Sequence, residues 1–206
     1  MGPVWAIVVA AGTGERFGAP KQYRSLRGRR VLDWSLDVAR VACDGVVLVV
    51  PPDRADDTEA EADTVVAGGA TRSASVRAGL AAVPSDAAIV VVHDAARPAS
   101  TEIVWRAVID AVVSGADAAV PVVPVDDTLR QVGGATIDRS TVVAVQTPQA
   151  FAAEVLRRAH AGGLDATDDA AVVEAAGGSV VTVDGDPRNR KITHPDDLAT
   201  LEGLLP

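Results

Sequence analysis

Residues Val4 to Lys21 read VWAIVVAAGTGERFGAPK, and this stretch decides the fold class. The run Val4 to Val9 is apolar at every position, as a strand covered on both faces must be, and it passes straight into a loop with glycines at 12, 14 and 18. Glycine admits positive φ and lets backbone N–H groups approach an anion closely, while Arg16 and Lys21 supply countercharge. The loop therefore has the build of a phosphate cradle. Two familiar versions of such a loop do not fit: the dinucleotide fingerprint needs glycine where Phe17 stands, and the Walker A loop needs a Gly-Lys-Ser/Thr ending where the chain has Ala19-Pro20-Lys21. The next apolar run ends in Pro51-Pro52, without the acidic residue that would hold a nicotinamide coenzyme's ribose.

Outward from this loop, Val- and Ile-rich runs recur at Val46 to Val50, Ile89 to Val92, Ala118 to Val123, Val142 to Val145 and Val180 to Val183. Helical patterns lie between and after them, near Leu32 to Val41, Arg72 to Ala82, Thr101 to Val113, Ala152 to His160, Thr167 to Ala176 and Pro195 to Leu204. Strands alternating with helices predict an α/β, Rossmann-like fold, a mostly parallel sheet flanked by helices. The stretch Asp126 to Arg139, DDTLRQVGGATIDR, breaks that rhythm: half-polar segments on either side of Gly133-Gly134 read as an inserted β-hairpin. It has little apolar surface to bury, so it is expected to be a flap or an arm that docks on another subunit. The expected organisation is one domain over residues 1–206, with 126–145 as an arm-like insertion.

At 206 residues the chain can bury about 70% of the surface its unfolded form exposes. With 48% hydrophobic residues but only 3% aromatic, the core must be built from Val, Ala, Leu and Ile. The net charge of -9 argues against broad nucleic-acid binding, so any anion site depends on a few placed cations. Of the 19 basic residues only Lys21 and Lys191 are lysine, as expected where a compact ammonium cannot be replaced by a guanidinium. The single cysteine, Cys43, cannot form an internal disulfide, no apolar run reaches membrane-spanning length, and the start lacks a basic leader. These point to the cytoplasm and away from membranes.

Further motifs sit where such a sheet places ligands. Gly68-Gly69-Ala70-Thr71-Arg72-Ser73-Ala74-Ser75 opens a helix that Thr71 can cap, while backbone groups of Gly69 and Ala70 and the Ser75 hydroxyl can read a base edge. His93-Asp94-Ala95-Ala96-Arg97-Pro98 lies at the carboxyl end of a central strand, where Asp94 is a candidate Mg²⁺ ligand and Arg97 faces the same cleft; His93 is expected to be buried and hydrogen-bonded. Gln146-Thr147-Pro148-Gln149, Ala166-Thr167-Asp168-Asp169 and Asn189-Arg190-Lys191-Ile192-Thr193 end strands or open helices, with Thr167 the expected cap.

Taken together, and in this order along nearly the whole chain, these motifs resemble the 2-C-methyl-D-erythritol 4-phosphate cytidylyltransferase family. VHDAARP and PKQY are the specific elements. The resemblance implies that Arg16 and Lys21 hold a triphosphate against the loop of Ala10, Ala11, Gly12 and Gly14, and that Lys191 joins Lys21 at the reacting α-phosphate. It also implies that Gly69, Ala70 and Ser75 read cytosine, that Ala95 lies beside the ribose and that Asp94 helps bind Mg²⁺ and substrate. Arg97 and Thr167, with Thr128 and Arg139 from the other subunit of a homodimer, would surround a polyol phosphate. Ala70 stands where the family commonly has an acidic residue. A ribitol 5-phosphate cytidylyltransferase and a non-catalytic nucleotide-binding regulator are the alternatives.

Overall fold

The computed structural model describes residues 2–205. The first half of the chain forms β1 (Val4–Val9), β2 (Ser25–Leu26), β3 (Arg29–Arg30), α1 (Val31–Ala42), β4 (Gly45–Val50), β5 (Thr64–Ala67), α2 (Arg72–Ala82) and β6 (Ile89–Asp94). The second forms α3 (Glu102–Val113), β7 (Ala118–Pro124), β8 (Leu129–Arg130), β9 (Thr136–Ile137), β10 (Val143–Val145), β11 (Gln149–Ala152), α4 (Ala153–Ala161), α5 (Asp169–Ala175), β12 (Val180–Asp184) and α6 (Asp197–Glu202).

The main sheet has eight strands, with β5, β4, β1 and β6 as parallel neighbours. Val9 pairs with Val49 on one side and Asp94 on the other, so the strand ends that carry the glycine loop and the aspartate are level. Both faces of the sheet are covered. Ala6 and Val8 of β1 and Leu48 of β4 pack under Leu36 of α1 and Trp105 and Val108 of α3. Ile7, Val47 and Val49 point the other way, toward Val76 of α2, and Val92 shares that layer with Leu156 of α4 and Val172 of α5. Successive side chains point to opposite faces, so a strand covered on both sides must be apolar throughout, as β1 and β4 are. Burying one such Val or Leu contributes roughly 1.5–3 kcal/mol.

A smaller cluster fixes the end of the chain. Leu201 and Leu205 join Leu26, Val31 and Ile192, and the Ile192 N–H donates to the Ala96 carbonyl at 2.8 Å. This packing pins the segment that carries Lys191 beside the end of β6.

The structure departs from the sequence expectation in several places, among them the short β2–β3 pair, which was not expected. Val142 to Val145 was expected to continue the parallel rhythm, but β10 runs antiparallel to the last residues of β7. Gln149–Ala152, expected to be turn and helix start, forms β11, antiparallel between β6 and β7. That segment has no β-branched residue, and neighbouring strands rather than propensity set its conformation. β5 is a four-residue strand, TVVA, too short to stand out after an acidic stretch. Finally, α5 starts at Asp169 and is capped by Asp168, whose carboxylate accepts the Ala170 N–H at 2.8 Å; Thr167 is exposed outside the helix.

The inserted segment forms the predicted hairpin. Leu129 pairs with Ile137 across a turn in which Gly133 has φ +71°. Val132 at its tip is fully exposed, and Thr128 and Arg139 at its base are exposed as well.

Candidate active site

The glycine loop is held in shape from within. Gly14 has φ +73°, and a Cβ there would lie 1.9 Å from the Ala19 carbonyl oxygen, so no other residue fits. Its own carbonyl accepts from the N–H groups of Phe17 and Gly18 at 2.9 and 2.8 Å. Gln22 closes the loop from behind: its buried Nε2 donates to the carbonyls of Ala10 at 2.6 Å and Gly12 at 3.1 Å. Sequence reasoning gave Gln22 no role, because a side chain returning to backbone ten or more residues away leaves no local signal.

The second glycine turn docks against the first. A Cβ on Gly68 would come within 2.3 Å of the Ala11 Cβ, so glycine is what lets the two loops meet. Thr71 caps α2 as expected, accepting the Ala74 N–H at 3.0 Å. The Ser75 hydroxyl accepts from the Gly69 N–H at 3.1 Å and donates to the Thr71 carbonyl at 3.0 Å. The N–H of Gly69, expected to be free, is thus occupied by Ser75. The turn is preformed, and Ala70 lies exposed at its tip.

At the end of β6 lies a chain of charges. Asp94 is buried, with Lys191 Nζ 2.5 Å from Oδ2 and Arg72 Nε 3.3 Å from Oδ1. Burial opposes the charge on Asp94, but Lys191 and Arg72 overcome that and hold its carboxyl well below the usual range. Arg72 also donates to Asp169 Oδ2 at 2.7 Å, and the fully buried Asp169 lies 3.2 Å from His160 Nε2 through its other oxygen. Burial lowers the pKa of Lys21, and the nearby charges of Lys191 and Arg16 lower it further. His93, by contrast, is structural as expected. Its Nδ1 sits 3.1 Å from Thr147 Oγ1, its ring packs on Trp105, and burial pushes its pKa down to about 3. The Cys43 thiol, pushed up to about 12 by burial, is inert.

These elements surround one cavity of about 900 Å³. Ala10, Ala11, Gly12, Gly14, Arg16 and Lys21 line one side of it. Gly69, Ala70, Ser75, Asp94, Ala95 and Lys191 also line it. The remaining predicted residues are elsewhere. Arg97 does not line this cavity; it donates to the Asn189 carbonyl at 2.8 Å, and burial lowers its pKa. Thr167 is on an exposed loop beyond the cavity. Thr128 and Arg139 belong to the hairpin, where Arg139 folds back on the Asp126 carbonyl beside a separate hollow. Arg72 also lines the main cavity, and sequence reasoning assigned it no function.

A divalent cation would find one buried carboxylate here, Asp94, and among the described residues no group of three acidic, His or Cys side chains is placed to hold a metal alone. That donor set fits Mg²⁺, which takes one or two carboxylates and completes its shell with phosphate oxygens and water.

Cations gathered around a nucleotide-sized cavity at the carboxyl edge of an α/β sheet suit displacement at a bound nucleoside triphosphate, and the class so defined is a nucleotidyltransferase. The comparisons narrow it. The chain belongs to the family described as 2-C-methyl-D-erythritol 4-phosphate cytidylyltransferase, whose model matches residues 4–206. It is 46% identical to a protein of that name from Saccharopolyspora erythraea, over 98% of this chain and 99% of that one. It is 47% identical to a "Bifunctional enzyme IspD/IspF" from Rhodopseudomonas palustris over 97% of this chain but only 55% of that protein. The chain therefore spans about half the length of such bifunctional relatives. A crystal structure of the Thermus thermophilus 2-C-methyl-D-erythritol 4-phosphate cytidylyltransferase superposes with TM-score 0.84 at 37% identity, covering 96% of each chain.

Proposed function

We propose that this chain transfers a cytidylyl group from CTP to 2-C-methyl-D-erythritol 4-phosphate, giving 4-diphosphocytidyl-2-C-methyl-D-erythritol and pyrophosphate. The observation that carries the reading is the convergence of Lys21, Lys191 and Arg16 on one cavity lined by the glycine loop, where the charges of Lys191 and Arg16 both bear on Lys21. An oxygen of the acceptor phosphate attacks the α-phosphorus of CTP in line; that P–O bond forms as the bond to the β-phosphate oxygen breaks, and pyrophosphate leaves with the electron pair. The acceptor is already anionic at neutral pH, so no side-chain nucleophile is needed. Rate comes from positioning and from cations set for the charge that builds on the non-bridging and leaving oxygens. Arg16 and Lys21 serve the triphosphate, and Lys191 turns from Asp94 to the reacting phosphate. Asp94 and the phosphates would hold Mg²⁺, which supplies charge neutralisation to the triphosphate when bound.

In this reading the protein works as a homodimer. Thr128 and Arg139 reach the acceptor phosphate of the neighbouring subunit, a role that the exposure of both residues on the hairpin supports. A lone free cysteine and no helix long and apolar enough to cross a membrane among the described residues accord with a cytoplasmic enzyme. The test supplies CTP, UTP, ATP and GTP in turn with methylerythritol, ribitol and erythritol phosphates and measures pyrophosphate. Release with CTP and methylerythritol phosphate alone is expected, and release with ribitol phosphate instead would overturn the acceptor assignment.

A further inference from the structure

Arg72 occupies the first turn of α2, where the positive end of the helix dipole disfavours a cation. Helix stability is therefore not what placed it there. Its guanidinium spans two carboxylates from distant parts of the chain, Nε to Asp94 at 3.3 Å and a terminal nitrogen to Asp169 at 2.7 Å, a geometry that suits the separated donors of a planar fork better than a single ammonium. The far anchor is rigid. Asp169 is fully buried, and His160 lies 3.2 Å from its second oxygen. The near anchor is shared, because the other oxygen of Asp94 lies against Lys191.

That sharing has a chemical consequence. If Lys191 leaves Asp94 for the reacting phosphate, the buried carboxylate loses one of its two side-chain counter-ions, and with Mg²⁺ bound against it Arg72 is the remaining side chain that fixes its orientation. We propose that Arg72 is a positioning residue that keeps Asp94 fixed and compensated while Lys191 is engaged with substrate, so that Lys191 can be released at little cost. This rests on the cytidylyl-transfer reading. In the absence of Arg72, Lys191 would be the principal remaining partner of Asp94 and would be withheld from the phosphate. Arg72 thus acts through Asp94 and Lys191, and nucleotide binding by the glycine loop does not depend on it.

The test uses the full chain with Arg72→Met, Arg72→Lys, Asp94→Asn and the double variant Arg72→Met/Asp94→Asn, each checked for folding by its circular dichroism melt. Pyrophosphate release gives kcat and KM, and calorimetry gives CTP affinity. Arg72→Met is expected to lower kcat by about tenfold or more while CTP affinity stays within about threefold, and Arg72→Lys to recover part of the loss. The double variant is expected to be no slower than the worse single one, because the neutral amide that Asp94→Asn introduces no longer needs the counter-ion. Turnover of Arg72→Met within about twofold of the parent, equal losses of kcat and CTP affinity, or additive losses in the double variant would each overturn the proposal. Should Arg72→Met not fold, Arg72→Lys carries the test, and parental kcat in it is the overturning result. If the parent itself releases no pyrophosphate with CTP and methylerythritol phosphate, it is the cytidylyl-transfer reading that fails.

Discussion

Lys191 and Asp94 are paired, Nζ to Oδ2 at 2.5 Å, in the lining of the main cavity. Their Cα atoms belong to segments 97 residues apart, joined because Ile192 packs into the cluster around Leu201 and Leu26 while Asp94 ends a central strand. The pair stores the second lysine beside the place where the α-phosphate is expected to react. On the proposed mechanism a turnover would include an exchange of Lys191 from carboxylate to phosphate.

Lys21 and Lys191 are expected to stabilise the transition state. Each Lys→Ala variant should lower kcat by about 10²-fold or more with the melting temperature little changed, and Lys→Arg should also slow turnover because the guanidinium is bulkier and planar. Steady-state pyrophosphate release measures both. Near-parental turnover in both arginine variants would show that position-specific ammonium groups are unnecessary.

Asp94 is expected to help hold magnesium against the triphosphate. Removing the metal with a chelator should abolish turnover, and Asp94→Asn should raise the magnesium concentration needed for half-maximal rate. A magnesium titration of the variant checks this, and an unchanged requirement counts against the assignment.

The alkaline limb of activity should reflect Lys21. Burial, Lys191 and Arg16 all disfavour its charged form, so it loses its proton below the ordinary 10.5. The profile of kcat/KM for CTP, which reports the free enzyme, should fall on the alkaline side below that value. Replacing Lys191 by Met removes one repelling charge, so in that variant the limb should move to higher pH. A limb that stays in place shows that another group controls it.

The hairpin is expected to act in trans. Chains carrying Arg139→Ala and chains carrying Lys21→Ala should each be nearly inactive, but half of the dimers formed on mixing are heterodimers with one intact site, restoring about a quarter of parental activity. Activity measured before and after demonstrated subunit exchange decides this, since a hairpin serving its own chain could never rebuild a site.

Gln22 is expected to matter for loop shape rather than charge. Gln22→Ala leaves the Ala10 and Gly12 carbonyls without their shared donor and should cost about 1–3 kcal/mol of stability, read as a lowered denaturation midpoint. CTP affinity should fall with it; an unchanged midpoint and affinity would remove Gln22 from the loop's support.

The sequence by itself determined what depends on neighbouring residues. The apolar run of β1 followed by Gly12 and Gly14 declared a strand and a glycine turn, because burial on two faces and the positive φ at Gly14 impose residue types locally. The rarity of lysine pointed to Lys21 and Lys191 before any contact was known. The Thr71 cap and the Gly133 turn were legible for the same reason. Tertiary structure alone decided what depends on residues meeting across the chain. Arg72 reaches Asp94 over 22 positions and Asp169 over 97, and spacing in one dimension holds no trace of either pair. β11 is a strand because β6 and β7 flank it, and Arg97 finds its acceptor, the Asn189 carbonyl, 92 positions away. Backbone preference is a short-range property written in each residue, whereas a counter-ion or a strand partner is supplied only when folding brings separate segments together.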